Sequence, residues 1–156
     1  MAQGGAHEGG GDAIDAELQA YLDAIASPIR RRDAVTMLDL LHRVTGQEPA
    51  LWKGIVGFGQ YHYHYASGRE GDAPAAGFAA REPATTIYLS DGVRAHADLL
   101  DRLGPHTAGV ACIYVKDLAA VDLAVLEAIL AGSYAALTSG TYTQRAREGG
   151  APTGSS

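Results

Sequence analysis

Across residues 60–66 the chain alternates without a break: Tyr61, Tyr63 and Tyr65 fall on one side, His62 and His64 on the other. A period of two belongs to an extended strand, because a helix would spread those tyrosines around its circumference. A strand of this kind must pair into a sheet, and a sheet with one apolar side needs a second layer to cover it.

The flanking sequence supplies that layer. Ile14, Leu18, Tyr21, Leu22 and Ile25 recur at helical spacing behind Asp12, a good N-cap. Ser27-Pro28 ends this helix and starts another, with serine as cap and proline in the first turn. The second helix turns Val35, Leu38, Leu41 and Val44 inward and stops at Gly46, with His42 beside the apolar stripe. Ser90-Asp91 predicts a third helix carrying Val93, Ala97, Leu100 and Leu103, closed by Gly104-Pro105, with His96 as a hydrogen-bonded structural histidine. Asp122 predicts a last one with Leu123, Leu126, Ile129, Leu130 and Tyr134 on its buried side.

Strands are predicted over residues 55–58, 60–66, 77–80, 85–90 and 110–115, with residues 49–52 leading in. Gly57 and Gly59 mark a turn or bulge, and residues 67–72 a polar turn. The expected fold is α+β: a two-layer sandwich, its mostly antiparallel sheet carrying helices on one face. The other face is left to water or ligand, and the tyrosine–histidine strand is expected to contribute to it. Residues 12–140 form the domain; the glycine-rich 1–11 and the small, polar 141–156 are expected to be disordered tails.

A chain of 156 residues suits one domain. Its net charge of -6 disfavours a nucleic-acid partner, which needs a basic face. No apolar run approaches a membrane span, and the N-terminus lacks a signal-peptide pattern, so the expected location is the cytoplasm. Arg30, Arg31 and Arg32 read as a solvated basic face or a partner-docking patch. The single cysteine, Cys112, excludes an internal disulfide and reads as a small buried hydrophobe rather than a nucleophile served by His106.

Two chemistries are open to the densest polar stretch. His62 and His64 leave one face about 7 Å apart, and Glu70 and Asp72 follow after a turn. His62, Glu70 and Asp72 could hold Fe(II), Zn(II) or Mn(II), or lie on a merely solvated strand face. Alternatively, Ser67 to Asp72 forms an amide nest with Arg69 as a forked donor to an anion, unless Arg69 only ties the turn to Glu70 or Asp72. His106 and Lys116 would complete that pocket, walled by Tyr61, Tyr63 and Tyr114. No metalloprotease, phosphate-loop or nucleophile-elbow motif is present, and nothing in the sequence requires a reaction.

Two motifs carry a resemblance. The first runs from Glu48-Pro49 and Trp52 through Ile55 to Phe58, the Tyr61-His62-Tyr63 and Tyr65 alternation, and Ser67-Gly68-Arg69-Glu70-Gly71-Asp72; the second reads Leu103-Gly104, His106, Gly109, Cys112, Tyr114 and Lys116. In that order they resemble the YdhG-like family, a domain of unknown function whose relatives include frataxin-like iron chaperones. The resemblance spans residues 16–137 and implies an accessory domain binding Fe(II) weakly near His62, Glu70 and Asp72, with an iron-sulfur or haem assembly protein as partner. The chain departs from the family at Ala73, where tryptophan is usual, at Ala79-Ala80-Arg81-Glu82 after Gly77-Phe78, and at Thr107, Ala108 and Val110, which replace basic residues. Arg81 keeps one positive charge, and an anion bound here should be held less tightly. Besides iron handling, an anion or small-molecule module centred on Arg69, His106 and Lys116 and a protein-docking role for the tyrosine-rich face both remain open.

Overall fold

The computed structural model describes residues 8–143 of the chain, with side chains from residue 16. It is the expected α+β two-layer sandwich. Six strands, β1 (Pro49–Trp52), β2 (Ile55–His64), β3 (Glu70–Ala80), β4 (Thr85–Tyr88), β5 (Thr107–Ala108) and β6 (Cys112–Val115), pair antiparallel in the order β1-β2-β3-β4-β6-β5. Helices α1 (Glu8–Asp23), α2 (Pro28–Thr45), α3 (Ala97–Leu100) and α4 (Leu123–Thr138) complete the chain.

The core lies between the sheet and α2 with α4. Met37 and Leu41 of α2 and Leu126, Ile129 and Leu130 of α4 close over Val56, Phe58, Phe78, Ile87, Ile113 and Val115. Phe58, Phe78 and Ile87 have no solvent exposure, and burial of each such side chain stabilises the fold by roughly 1.5–3 kcal/mol. Three caps follow the sequence: Ser27 accepts from the Arg30 amide at 3.2 Å, Gly46 ends α2 at φ 69°, and Asp122 accepts from the Ala124 and Val125 amides. Asp12, expected to cap the first helix, lies inside α1 instead.

Several boundaries differ from expectation. Residues 49–52 are a strand in their own right, joined to β2 by Lys53 and Gly54 at φ 53° and 84°. Two positive φ values make the tight hairpin turn that matches strand twist, and Lys-Gly is an unobvious sequence for it. Gly57 continues the ladder opposite Gly77, while Gly59 has no partner in it; β2 keeps one register against β3 on either side, over Val56–Phe58 and Gln60–His64. Gly59, at φ 70°, instead shifts which side chains face the helices. Phe58 and Tyr61, three residues apart, both lie under helical side chains, Tyr61 beneath Leu137 and Tyr134 of α4.

β3 is eleven residues long, because Glu70, Gly71 and Asp72 pair with His64, Tyr63 and His62 rather than forming a turn. The third helix is replaced by a 3-10 turn over Val93–His96 and the single turn of α3. Asp91 does not cap it. Asp91 is buried, accepting from Ser133 Oγ of α4 at 2.6 Å and bonded to Nε2 of His96 at 2.8 Å, which bears out the structural role of that histidine.

At the ends, α1 begins at Glu8, so residues 8–11 are helical rather than disordered. Tyr142 pairs with β2 beside Tyr63, its amide donating to the His62 carbonyl at 2.8 Å and its carbonyl accepting from the His64 amide at 2.9 Å. The expected disorder of 1–7 and 144–156 lies outside the described residues.

Candidate functional site

The sequence-predicted site residues divide into two groups at opposite ends of the sheet. Tyr61, His62, Tyr63, Ser67, Arg69, Glu70 and Asp72 sit at the β2–β3 hairpin end, whereas His106, Tyr114 and Lys116 lie at the other end of β3, near Arg81, with Tyr114 level with Ala79 through Thr86. At roughly 3.3 Å per strand residue, Glu70 and the level of Tyr114 at Ala79 stand about 30 Å apart along β3, and Tyr61 and Tyr114 about 20 Å. The single pocket expected from Arg69, His106 and Lys116 is therefore not formed.

At the hairpin end the tyrosines turn inward. Tyr61 is 7% exposed, and burial pushes its hydroxyl up to about 12. Tyr63 stacks on Tyr65 with ring centroids 4.8 Å apart, and Tyr142 meets Tyr61 edge-on at 6.0 Å. A Cβ on Gly71 would stand 2.7 Å from the Tyr63 hydroxyl, so glycine is what lets that ring lie across β3. The tyrosine-rich side is thus largely the helix-bearing side, and Gln60, His62 and His64 take the other face.

The turn itself offers no free amide nest. The Tyr65 and Gly68 amides are spent on the Arg69 and Tyr65 carbonyls, and the Arg69 amide approaches Ser67 Oγ at 3.4 Å. Arg69 makes no ion pair with Glu70 or Asp72 among the described residues. Those carboxylates go to His62: Asp72 meets Nδ1 at 2.9 Å and Glu70 meets Nε2 at 3.0 Å. The carboxylate of Asp72, then that of Glu70, raises the imidazole pKa above its ordinary value. The donor types match Fe(II), but both ring nitrogens already face carboxylates, as an imidazolium bridge requires. Among the described residues no group of three or more His, Cys, Asp or Glu side chains is placed around one point to hold a metal ion.

The other end of the sheet carries a cleft of about 630 Å³. Thr86 of β4, Tyr114 of β6 and Thr107 of β5 are cross-strand partners and form its floor on the face without helices. Arg81, Glu82, Pro83 and Ala84 of the β3–β4 connection make one wall; Pro105, His106, Lys116, Asp117 and Ala120 make the other. The Nδ1 of His106 lies 2.8 Å from the Gly104 carbonyl, which can only accept; Nδ1 therefore carries the proton and Nε2 is left for the cleft. Tyr114 Oη accepts from the Cys112 thiol at 3.1 Å. No hydrogen bond joins Cys112 to His106, so the two form no nucleophile–base pair.

A clamp that the sequence reading missed fixes Lys116 from behind. Arg30, 3% exposed, reaches through from α2 to donate to Thr85 Oγ1 at 2.5 Å, to the Val115 carbonyl at 3.2 Å and to the Lys116 carbonyl. Asp33, fully buried, accepts from the Leu118 amide at 3.0 Å and from Arg32 at 2.7 Å. Arg32 also donates to Asp117, whose carboxyl pKa is lowered first by the Ala119 amide and then by Arg32. Of the expected solvated basic face, Arg31 and Arg32 are exposed, Arg31 with its guanidinium on the Ile25 carbonyl at 2.6 Å, and only Arg30 is buried. The i, i+3 placement of Arg30 and Asp33 in a first helical turn was the one signal that could have revealed this.

Matched against family models, curated proteins and solved structures, the chain finds no counterpart in any of the three. No helix among the described residues is long and apolar enough to cross a membrane.

Proposed function

We propose that this domain binds a small anionic molecule in the cleft of Arg81, His106 and Lys116. The observation that carries this reading is the convergence of these side chains on one concavity of the uncovered sheet face, with no acidic partner for Arg81 or Lys116 among the described residues. Arg30 and Arg32 are held by Asp33, and Arg43 by Asp39 and Glu127; other exposed cations lack an acidic partner too, so what distinguishes Arg81 and Lys116 is the concavity they share. Arg81 here takes the place expected of Arg69. Nothing in the cleft pairs a nucleophile with a base, so the reading is of a binding module, not an enzyme. The test is an amide NMR titration with small carboxylates and phosphates. Saturable shifts at Thr86, Tyr114 and Lys116, lost in Lys116→Met, support the cleft, and an unchanged spectrum at tens of millimolar removes it.

A second reading follows the YdhG-like resemblance: weak Fe(II) binding at His62, Glu70 and Asp72 in an accessory protein for iron-sulfur or haem assembly. The donor types support it, one imidazole with a carboxylate at each ring nitrogen, and an ion would have to draw both carboxylates to one side of the ring. A metal there competes with the protons of His62, so binding must strengthen as pH rises. Anaerobic Fe(II) titration with a zinc control, repeated on Glu70→Ala/Asp72→Ala, tests this. Broadening confined to residues 62–72 and abolished in the double variant supports iron, and an undisturbed spectrum at millimolar metal rejects it.

A further inference from the structure

Resting on the anion-cleft reading, we infer that the ligand is a monocarboxylate with an apolar body rather than a phosphate or polyanion. Charge and lining point the same way. Behind the cleft Arg30 and Arg32 balance Asp33 and Asp117, which leaves Arg81 and Lys116 against Glu82. One positive charge is in excess, enough for a single carboxylate, while Glu82 repels further negative charge on the same ligand. A phosphate dianion would meet that repulsion with no second unbalanced cation to offset it.

The remaining surface is mostly apolar: Pro83, Ala84, Pro105, Ala120 and the exposed ring of Tyr114. These surfaces gain nothing from a bare inorganic anion and favour a hydrocarbon or aromatic body laid between the prolines and the tyrosine. A volume of about 630 Å³ is in the range of small-molecule sites and far larger than a lone carboxylate needs.

Thr86 gives independent support. Its side chain lines the cleft, is only 5% exposed, and its hydroxyl has no hydrogen-bond partner among the described residues. Its neighbour Thr85, facing the helices, is satisfied by Arg30 at 2.5 Å. Buried hydroxyls are almost always paired, so an orphan inside a cleft calls for an acceptor from the ligand. A carboxylate oxygen held between Thr86 and Lys116 would supply one, while Nε2 of His106 can receive a proton or a donor from the same molecule.

The test compares phenylacetate, phenyl phosphate and acetate as sodium salts at equal ionic strength and pH 7.5, by calorimetry and amide NMR on the full chain. Phenylacetate and phenyl phosphate share an apolar ring and differ in head charge; acetate keeps the head and lacks the body. The expected order is phenylacetate tightest, with either of the others weaker by about tenfold or more. Lys116→Met should weaken phenylacetate by about tenfold, the scale of one lost charge-assisted hydrogen bond. Thr86→Val should weaken it without lowering the urea midpoint; a loss of stability with unchanged affinity would assign Thr86 a structural role and overturn its part here. Tighter binding of phenyl phosphate, dependent on Lys116, would overturn the monocarboxylate and leave the anion cleft standing. Acetate matching phenylacetate would remove the apolar body. Silence from all three would take down the anion cleft itself.

Discussion

Arg30 and Val115 meet through the sheet: the guanidinium of α2 donates to the strand carbonyl at 3.2 Å, one residue before the backbone that presents Lys116. Removing it strands the Val115 and Lys116 carbonyls, the Thr85 hydroxyl and one side of the buried Asp33 carboxylate. Arg30→Ala should therefore destabilise the fold by about 3–5 kcal/mol, the usual cost of orphaning a buried charge. Urea unfolding measures this, and a loss below ~1 kcal/mol would show that water replaces the guanidinium.

Asp91 should be nearly as sensitive. Its carboxylate is the shared partner of His96 and Ser133, all three buried. Asp91→Ala leaves an imidazole nitrogen and a hydroxyl unpaired in the interior, for roughly 2–4 kcal/mol. Because Ser133 has nothing to bond once Asp91 is gone, the double variant Asp91→Ala/Ser133→Ala should cost less than the sum of the two single changes, which a double-mutant cycle by urea unfolding will show.

His62 makes stability pH-dependent with a definite sign. Its folded pKa is raised above the ordinary value of 6.5 by Asp72 and Glu70. The bridge therefore contributes fully below 6.5, and the contribution is lost as pH rises through the folded pKa. The stability gap between wild type and His62→Gln should be widest under mildly acidic conditions, while the carboxylates remain ionised, and close on the alkaline side. NMR titration of the ring should give a midpoint above 6.5; a midpoint at or below that value would refute the bridge.

Two glycines should respond in opposite directions to alanine. A Cβ on Gly77 would stand 2.9 Å from the Val56 carbonyl oxygen, a backbone atom that cannot swing away. Gly77→Ala should lose stability by about 1–3 kcal/mol through overpacking. On α4, a Cβ on Gly132 would meet His96 at an ordinary 3.6 Å, so Gly132→Ala should gain up to about 1 kcal/mol from helix propensity. Thermal unfolding of both variants checks the pair.

The layer architecture, the caps at Ser27, Gly46 and Asp122 and the alternation of β2 were legible because each is written locally: period, cap residue, glycine at a positive φ. What escaped depends on partners far along the chain. Glu70-Gly71-Asp72 reads as a turn in isolation and becomes strand because His62, Tyr63 and His64 stand opposite. Which side of the sheet the tyrosines take was decided at Gly59 and by Leu137, neither of which shows in the alternation itself. Lys116 and Tyr114 could be named as ligand candidates, yet Arg30 could not be seen to hold them, since its contacts cross to β4 and β6. Thr86 was overlooked for the same reason: only the fold shows a hydroxyl without a partner.

The pairing of Tyr142 with β2 bears on synthesis. A chain emerging from the ribosome can close the β2–β3 hairpin early, but the outer rim of that hairpin keeps the His62 carbonyl and the His64 amide unsatisfied until Tyr142 arrives. Until then the rim is a strand template open to any neighbouring nascent chain, and the last residues to dock act as its guard.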